Sequence, residues 1–215
     1  MLYPLDALAF RMRWLGIDKV PATGGVIFAA NHTSHMDTVL MARAVWQSGR
    51  IPRFMIKDGA FTLPLVGRVL YGAKQIPVHR ASAQATQALD EAVAALDAGE
   101  AVIIYPEGTL TRDPAQWPMQ AKTGIARLVL ARPDVPVMPV GQWGAQKLSA
   151  GKWRLLTRRT HRLIVGDPVD LGRWRGAPRR ASVLRELTDE IMAEVRALVA
   201  EVRGEPLPAT VYVPE

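Results

Sequence analysis

The chain has 215 residues, 49% of them hydrophobic, and a formal charge of +7. That is enough apolar material for one well-buried core. The absence of cysteine excludes disulfides, thiolate metal sites and a cysteine nucleophile.

No run of about 20 apolar residues is present, so no bilayer-spanning helix is predicted. Leu2, Leu5, Leu8, Ala9, Met12 and Leu15 recur at helical spacing, and Pro4 suits a first turn. The spacing predicts an amphipathic helix within residues 1–20, lying in a membrane interface or packed on the core. Val26–Ala30 reads as a buried strand, followed by a helix over 38–47. Arg53–Ile56 predicts a strand, 61–70 a helix interrupted early by Pro64, and 74–78 another strand. Residues 84–98 predict a helix ended by Gly99. A strand over 101–105, a helix over 123–131 and a strand over 135–140 follow. The prolines of that last strand predict an edge or a bend. A short strand at 163–165 and a long helix over 180–203 complete residues 21–204, and an extended tail follows over 205–215. Alternating strands and helices predict an α/β fold, a layered mixed sheet flanked by helices.

The charge is uneven. Between Lys147 and Arg180 there are ten Lys/Arg and two Asp/Glu, so this segment supplies the whole basic excess. Such a stretch is either a solvated surface or an attractor of phosphate-rich partners. Trp143, Trp153 and Trp174 are candidate interface anchors beside it. With no cleavable signal pattern, the cytoplasmic face of the cell membrane is the expected location.

Four elements carry polar groups or pattern that a core does not need. Asn31 and His32 follow a buried strand, and Asp37 falls near the start of the next helix. The carboxylate can fold back to one imidazole nitrogen and leave the other as a base. Alone, the same residues also describe a helix cap. His35 is two positions from Asp37, an offset that does not bring helical side chains together. The cluster lacks metal-ligand spacing. The second element runs from Gly72 through Ile76, Pro77 and Val78 to Arg80, a cation just beyond a strand. Lys57 is a similar cation. The third, Tyr105-Pro106-Glu107-Gly108-Thr109, lies at a strand's C-terminal end, the usual ligand crevice of α/β sheets. The fourth is Val135-Pro136-Val137-Met138-Pro139-Val140, which offers an apolar wall.

In this order the four blocks resemble those of the glycerolipid acyltransferase family, which includes 1-acyl-glycerol-3-phosphate acyltransferase. Asn31, His32 and Asp37 match its N-H-x-x-x-x-D block. Gly72, Ile76, Pro77, Val78 and Arg80 match the second, Pro106 to Thr109 the third, and 135–140 the fourth. Lys57, Phe61, Pro64 and Gly67 fit the stretch between, and Lys122-Thr123-Gly124 resembles its Lys-x-Gly. The resemblance spans roughly residues 20–170. One departure stands out: Leu110 occupies the place of the family arginine, and Arg112 comes two positions later.

The resemblance implies acyl transfer from a thioester, acyl-CoA or acyl carrier protein, to a lysophosphatidic acid hydroxyl. It implies no permanently bound cofactor and no metal. His32 is then the base and Asp37 its partner. Lys57, Arg80, Arg112 and Lys122 are candidate phosphate contacts, and Glu107, Gly108 and Thr109 candidate acceptor-positioning residues. Glycerol 3-phosphate and other lysolipids are alternative acceptors. A basic anionic-lipid or nucleic-acid-binding domain is the non-enzymatic alternative. No nucleic-acid motif supports a nucleic-acid partner, and an anionic membrane surface is the expected one.

Overall fold

The apolar runs assemble into one seven-stranded sheet in the order β1-β7-β6-β2-β5-β3-β4. The computed structural model describes residues 10–78, 84–148 and 159–214. The strands are β1 (Phe10–Leu15), β2 (Val26–Ala30), β3 (Pro52–Lys57), β4 (Ile76–Val78), β5 (Ala101–Ile104), β6 (Val137–Trp143) and β7 (Arg159–Val165). Strands β6, β2, β5, β3 and β4 pair in parallel, while β7 runs antiparallel to β6 and parallel to β1. The helices are α1 (Met36–Gln47), α2 (Pro64–Gly72), α3 (Gln84–Asp97), α4 (Gly124–Ala131) and α5 (Ala181–Arg203).

Both faces of the central strands are covered, which is why β2 and β5 are apolar throughout. The side chains of β2 alternate between two cores. Ile27 and Ala29 pack beneath α3, α4 and α5; Val26, Phe28 and Ala30 pack beneath α1. Helix α5 lies directly on β6. A Cβ at Gly141 would stand 2.5 Å from the Leu198 carbonyl carbon, so only glycine admits the helix this closely.

Three expectations need correction. Residues 10–15 are a strand, not part of an amphipathic helix; Leu2, Leu5, Leu8 and Ala9 lie outside the described residues. The sequence Phe-Arg-Met-Arg-Trp-Leu alternates with period two, and Met12 and Trp14 turn inward while Arg11 and Arg13 stay exposed. Strand β6 is central rather than at an edge. Its Pro139 carbonyl accepts the Gly166 amide, so the missing N–H points to the same side, just beyond the end of β7. The ladder between β6 and β7 ends at this point, where proline is tolerated. Pro64 opens α2 at its first turn rather than interrupting it.

Candidate active site

Strands β2, β5 and β6 end side by side, and their C-terminal ends carry Asn31-His32, Tyr105 to Thr109, and Gln142-Trp143. Asn31 is fully buried and locks β2 to β6. Its side-chain amide donates to the Gln142 carbonyl (3.0 Å), its carbonyl oxygen accepts from the Gln142 amide (2.8 Å), and Gln142 Nε2 donates to the Asn31 main chain (2.9 Å). The residue after it, His32, therefore leaves the sheet from a fixed point.

The turn that follows is organised by Asp37, which is fully buried in the first turn of α1. Its Oδ2 accepts the amides of Thr33 (2.6 Å) and Ser34 (2.7 Å) and the Thr33 hydroxyl (3.3 Å). Folded back in this way, the same oxygen lies 3.4 Å from His32 Nδ1. The imidazole is stacked on Tyr105, with ring centroids 4.1 Å apart and planes within 10°. His35 meets it only edge-on, at 6.4 Å. The arrangement orients one nitrogen toward a carboxylate and leaves Nε2 for proton transfer.

Glu107 differs from its expected place. It is 1% exposed, and its carboxylate accepts the His32 amide (2.9 Å) and the Met119 amide (3.0 Å). It therefore holds His32 from behind instead of facing an acceptor. Burial pushes its pKa up to about 7, against the two amides that favour the ionised form. The Thr111 amide donates to the His32 carbonyl at 2.8 Å. Glu107 and Thr111 thus grip both main-chain groups of His32. Gly108 makes the turn possible at φ 71° and donates its amide to the Tyr105 carbonyl.

The predicted cations are placed less uniformly. Lys57 is exposed at the C-terminal end of β3, two strands from β2 and so about 10 Å away. Arg112 is exposed beyond the Glu-Gly-Thr turn, and Lys122 is exposed with its amide on the Pro106 carbonyl. Thr109 is half-buried. Arg80 lies outside the described residues, as does Trp153. Trp174 is not an interface anchor: it is buried, and its indole donates to Glu190. Trp143 is half-buried with the Arg203 guanidinium over its ring. Part of the basic segment is already paired, Arg173 with Glu190 and Arg175 with Asp134. Among the described residues, no group of three or more His, Cys, Asp or Glu is placed to hold a metal ion.

Three contributors had no role assigned from the sequence. Tyr105 supplies the platform under His32, and burial, with the Asp37 charge, pushes its hydroxyl above the ordinary phenol range. Gln142, a lone polar residue in an apolar strand, was the available signal for the Asn31 lock. His161 on β7 is fully buried within electrostatic reach of Asp37; burial lowers its pKa to about 4, so it adds no charge there near neutrality.

The acyltransferase family model matches residues 11–143. The chain is 25% identical over 157 residues to the chloroplastic 1-acyl-sn-glycerol-3-phosphate acyltransferase BAT2 of Brassica napus, covering 72% of this chain and 44% of that protein. It is 24% identical over 171 residues to the chloroplastic 1-acyl-sn-glycerol-3-phosphate acyltransferase LPAT1 of Arabidopsis thaliana, covering 78% and 45%. The chain thus spans less than half the length of these two relatives. Its fold is similar to the crystal structure of the 1-acyl-sn-glycerophosphate acyltransferase PlsC from Thermotoga maritima. The TM-score is 0.67 at 23% identity, over 95% of this chain and 80% of that one.

Proposed function

Because this chain belongs to the acyltransferase family, we propose that it moves a fatty acyl group from an acyl thioester to the sn-2 hydroxyl of 1-acyl-glycerol 3-phosphate, giving phosphatidic acid. The observation that carries the reading is the His32–Asp37 pair, 3.4 Å apart at the sheet's C-terminal mouth with His32 held through both main-chain groups. The activity of the two plant relatives supplies the acceptor.

In this mechanism His32 Nε2 takes the proton of the acceptor hydroxyl as that oxygen attacks the thioester carbonyl. Asp37 stabilises the imidazolium so formed. Collapse breaks the carbon–sulfur bond, and the proton on His32 passes to the leaving thiolate. Lys57, Arg80, Arg112 and Lys122 supply positive charge to the acceptor phosphate. Glu107 acts on His32 rather than on the glycerol, and Gly108 shapes the turn that places it. The donor is acyl-CoA or acyl carrier protein, and the enzyme works on the cytoplasmic face of a membrane.

The test is an acyl-transfer assay over a matrix of donors and acceptors, with His32→Ala as the control. Wild type should acylate 1-acyl-glycerol 3-phosphate. His32→Ala should lose about 10²–10⁴ in turnover with an unchanged circular dichroism spectrum. Near wild-type turnover in His32→Ala would refute the mechanism. Leu110 stands where the family carries arginine, so the matrix includes glycerol 3-phosphate and lysolipids with other headgroups. A preference for one of those would replace the acceptor and leave the base in place.

A further inference from the structure

Helix α2 inverts the usual arrangement of an apolar helix. Its sequence Pro-Leu-Val-Gly-Arg-Val-Leu-Tyr-Gly predicts a buried element, yet Gly67 is its only buried residue. That glycine lies against the Phe61 carbonyl, where a Cβ would stand 2.0 Å from the oxygen. The helix is thus held close to the chain leading into it. The side chains of Leu63 at its N-cap (52% exposed), Leu65 (76%), Val66 (46%) and Val69 (63%) face outward instead, while Tyr71, 63% exposed, packs edge-on against Phe61 at 4.9 Å on the Gly67 side. Among the described residues, these are five of the twelve large apolar side chains that are exposed. Contiguous patches of this kind mark a binding surface.

Charge and position narrow the occupant. No Asp or Glu occurs between Asp58 and Asp90, whereas Arg68 and Lys74 stand exposed in and beside the patch. A second copy of the chain would bring like charges together across the same face. An anionic surface complements it. The helix starts a short turn after Lys57, two strands from the strand that carries His32. An interface bound there lies beside the catalytic end of the sheet.

We propose that α2, with Leu63, docks the protein on an anionic lipid bilayer and sets the catalytic end of the sheet against it. Leu65, Val66 and Val69 enter the interfacial layer, while Arg68 and Lys74 meet lipid phosphates. The proposal rests on the lipid-acceptor reading only for the purpose of docking; the docking itself is measured without turnover.

The experiment compares wild type with the Leu65→Asp/Val69→Asp double variant in sedimentation with phosphatidylcholine–phosphatidylglycerol vesicles and with phosphatidylcholine vesicles. Both substitutions fall on exposed side chains, so the variant should keep the wild-type melting temperature. Its partition onto mixed vesicles should fall about tenfold or more. Arg68→Glu should weaken binding to the mixed vesicles and leave binding to phosphatidylcholine alone unchanged. Turnover with a short-chain acceptor dissolved as monomers should be the same in wild type and double variant, and turnover with vesicle-borne acceptor should drop. Unchanged vesicle binding in the double variant would overturn the proposal. So would a wild-type dimer that becomes monomeric in the variant without loss of lipid binding, or an equal loss of turnover on the dissolved acceptor. Vesicle binding through α2 by a wild type without acyl transfer would uphold the docking and refute the functional reading alone.

Discussion

His32 and Asp37 acquire their geometry from main-chain amides and a buried carboxylate around them. Asp37 is occupied mainly by the Thr33 and Ser34 amides, and its 3.4 Å approach to Nδ1 follows from closing that turn. Glu107 supports the same imidazole through its main chain. That role has a pH signature. Folding raises the Glu107 pKa from an ordinary carboxyl value of 4.5 to about 7. Between these values the folded state binds the proton more tightly than the unfolded chain, so stability from this group falls as pH rises through about 7. Glu107→Gln lacks the titration. Urea unfolding at pH 5 and pH 8 should therefore show wild type losing up to about 3 kcal/mol more than Glu107→Gln over that interval. A parallel change in both proteins would refute the assignment. The residues of the site were legible because reactive side chains stand out in an apolar context. Their partners were not, because Glu107 and Gln142 act through main-chain groups that no residue pattern encodes.

At the scale of elements, helix and strand placement follows periodicity closely wherever one pattern is present. Residues 26–30, 84–97 and 181–203 show this. Residues 10–15 carry two patterns, and the sheet decides between them: pairing with β7 satisfies the backbone and buries Met12 and Trp14. The contact of helix α5 on β6 depends on the absence of a single methyl group. Gly141→Ala places a methyl 2.5–2.7 Å from Leu198 main-chain atoms, which cannot move without shifting the helix. Overpacking of this kind typically costs 1–3 kcal/mol, and the upper end, about 3 kcal/mol, is expected here. Gly124→Ala, with nothing within 4 Å, should be close to neutral. Urea midpoints of the two variants check both statements.

Across the whole molecule, one residue ties the end of the chain to the catalytic end of the sheet. The Arg203 guanidinium lies between the rings of Trp117 and Trp143, 4.0 and 4.2 Å from their centroids, and donates to the Ala115 carbonyl at 2.9 Å. The tail beyond it returns to the same loop, where the Gln120 amide donates to the Tyr212 carbonyl. Arg203→Ala should remove about 2 kcal/mol and lower the melting temperature by roughly 4–8 °C. Arg203→Lys should recover only part of this, since a compact ammonium cannot stack on two rings. Calorimetry on the three proteins measures it. The mean surface charge is a poorer guide at this scale: the segment richest in Arg pairs part of its charge with Glu190 and Asp134. The apolar, acid-free stretch around α2 presents the surface that a lipid bilayer complements.

By itself the sequence determined the α/β alternation and the strand carrying His32, and it singled out His32 and Asp37 as a candidate pair, because local periodicity and motif spacing are one-dimensional properties. Tertiary structure alone decided that β6 is central despite its prolines and that residues 10–15 are a strand. It also turned Glu107 inward and α2 outward. Each of these depends on which backbone group or face meets a neighbour distant in sequence. Burial and pairing are settled by that meeting, not by the residue's own character.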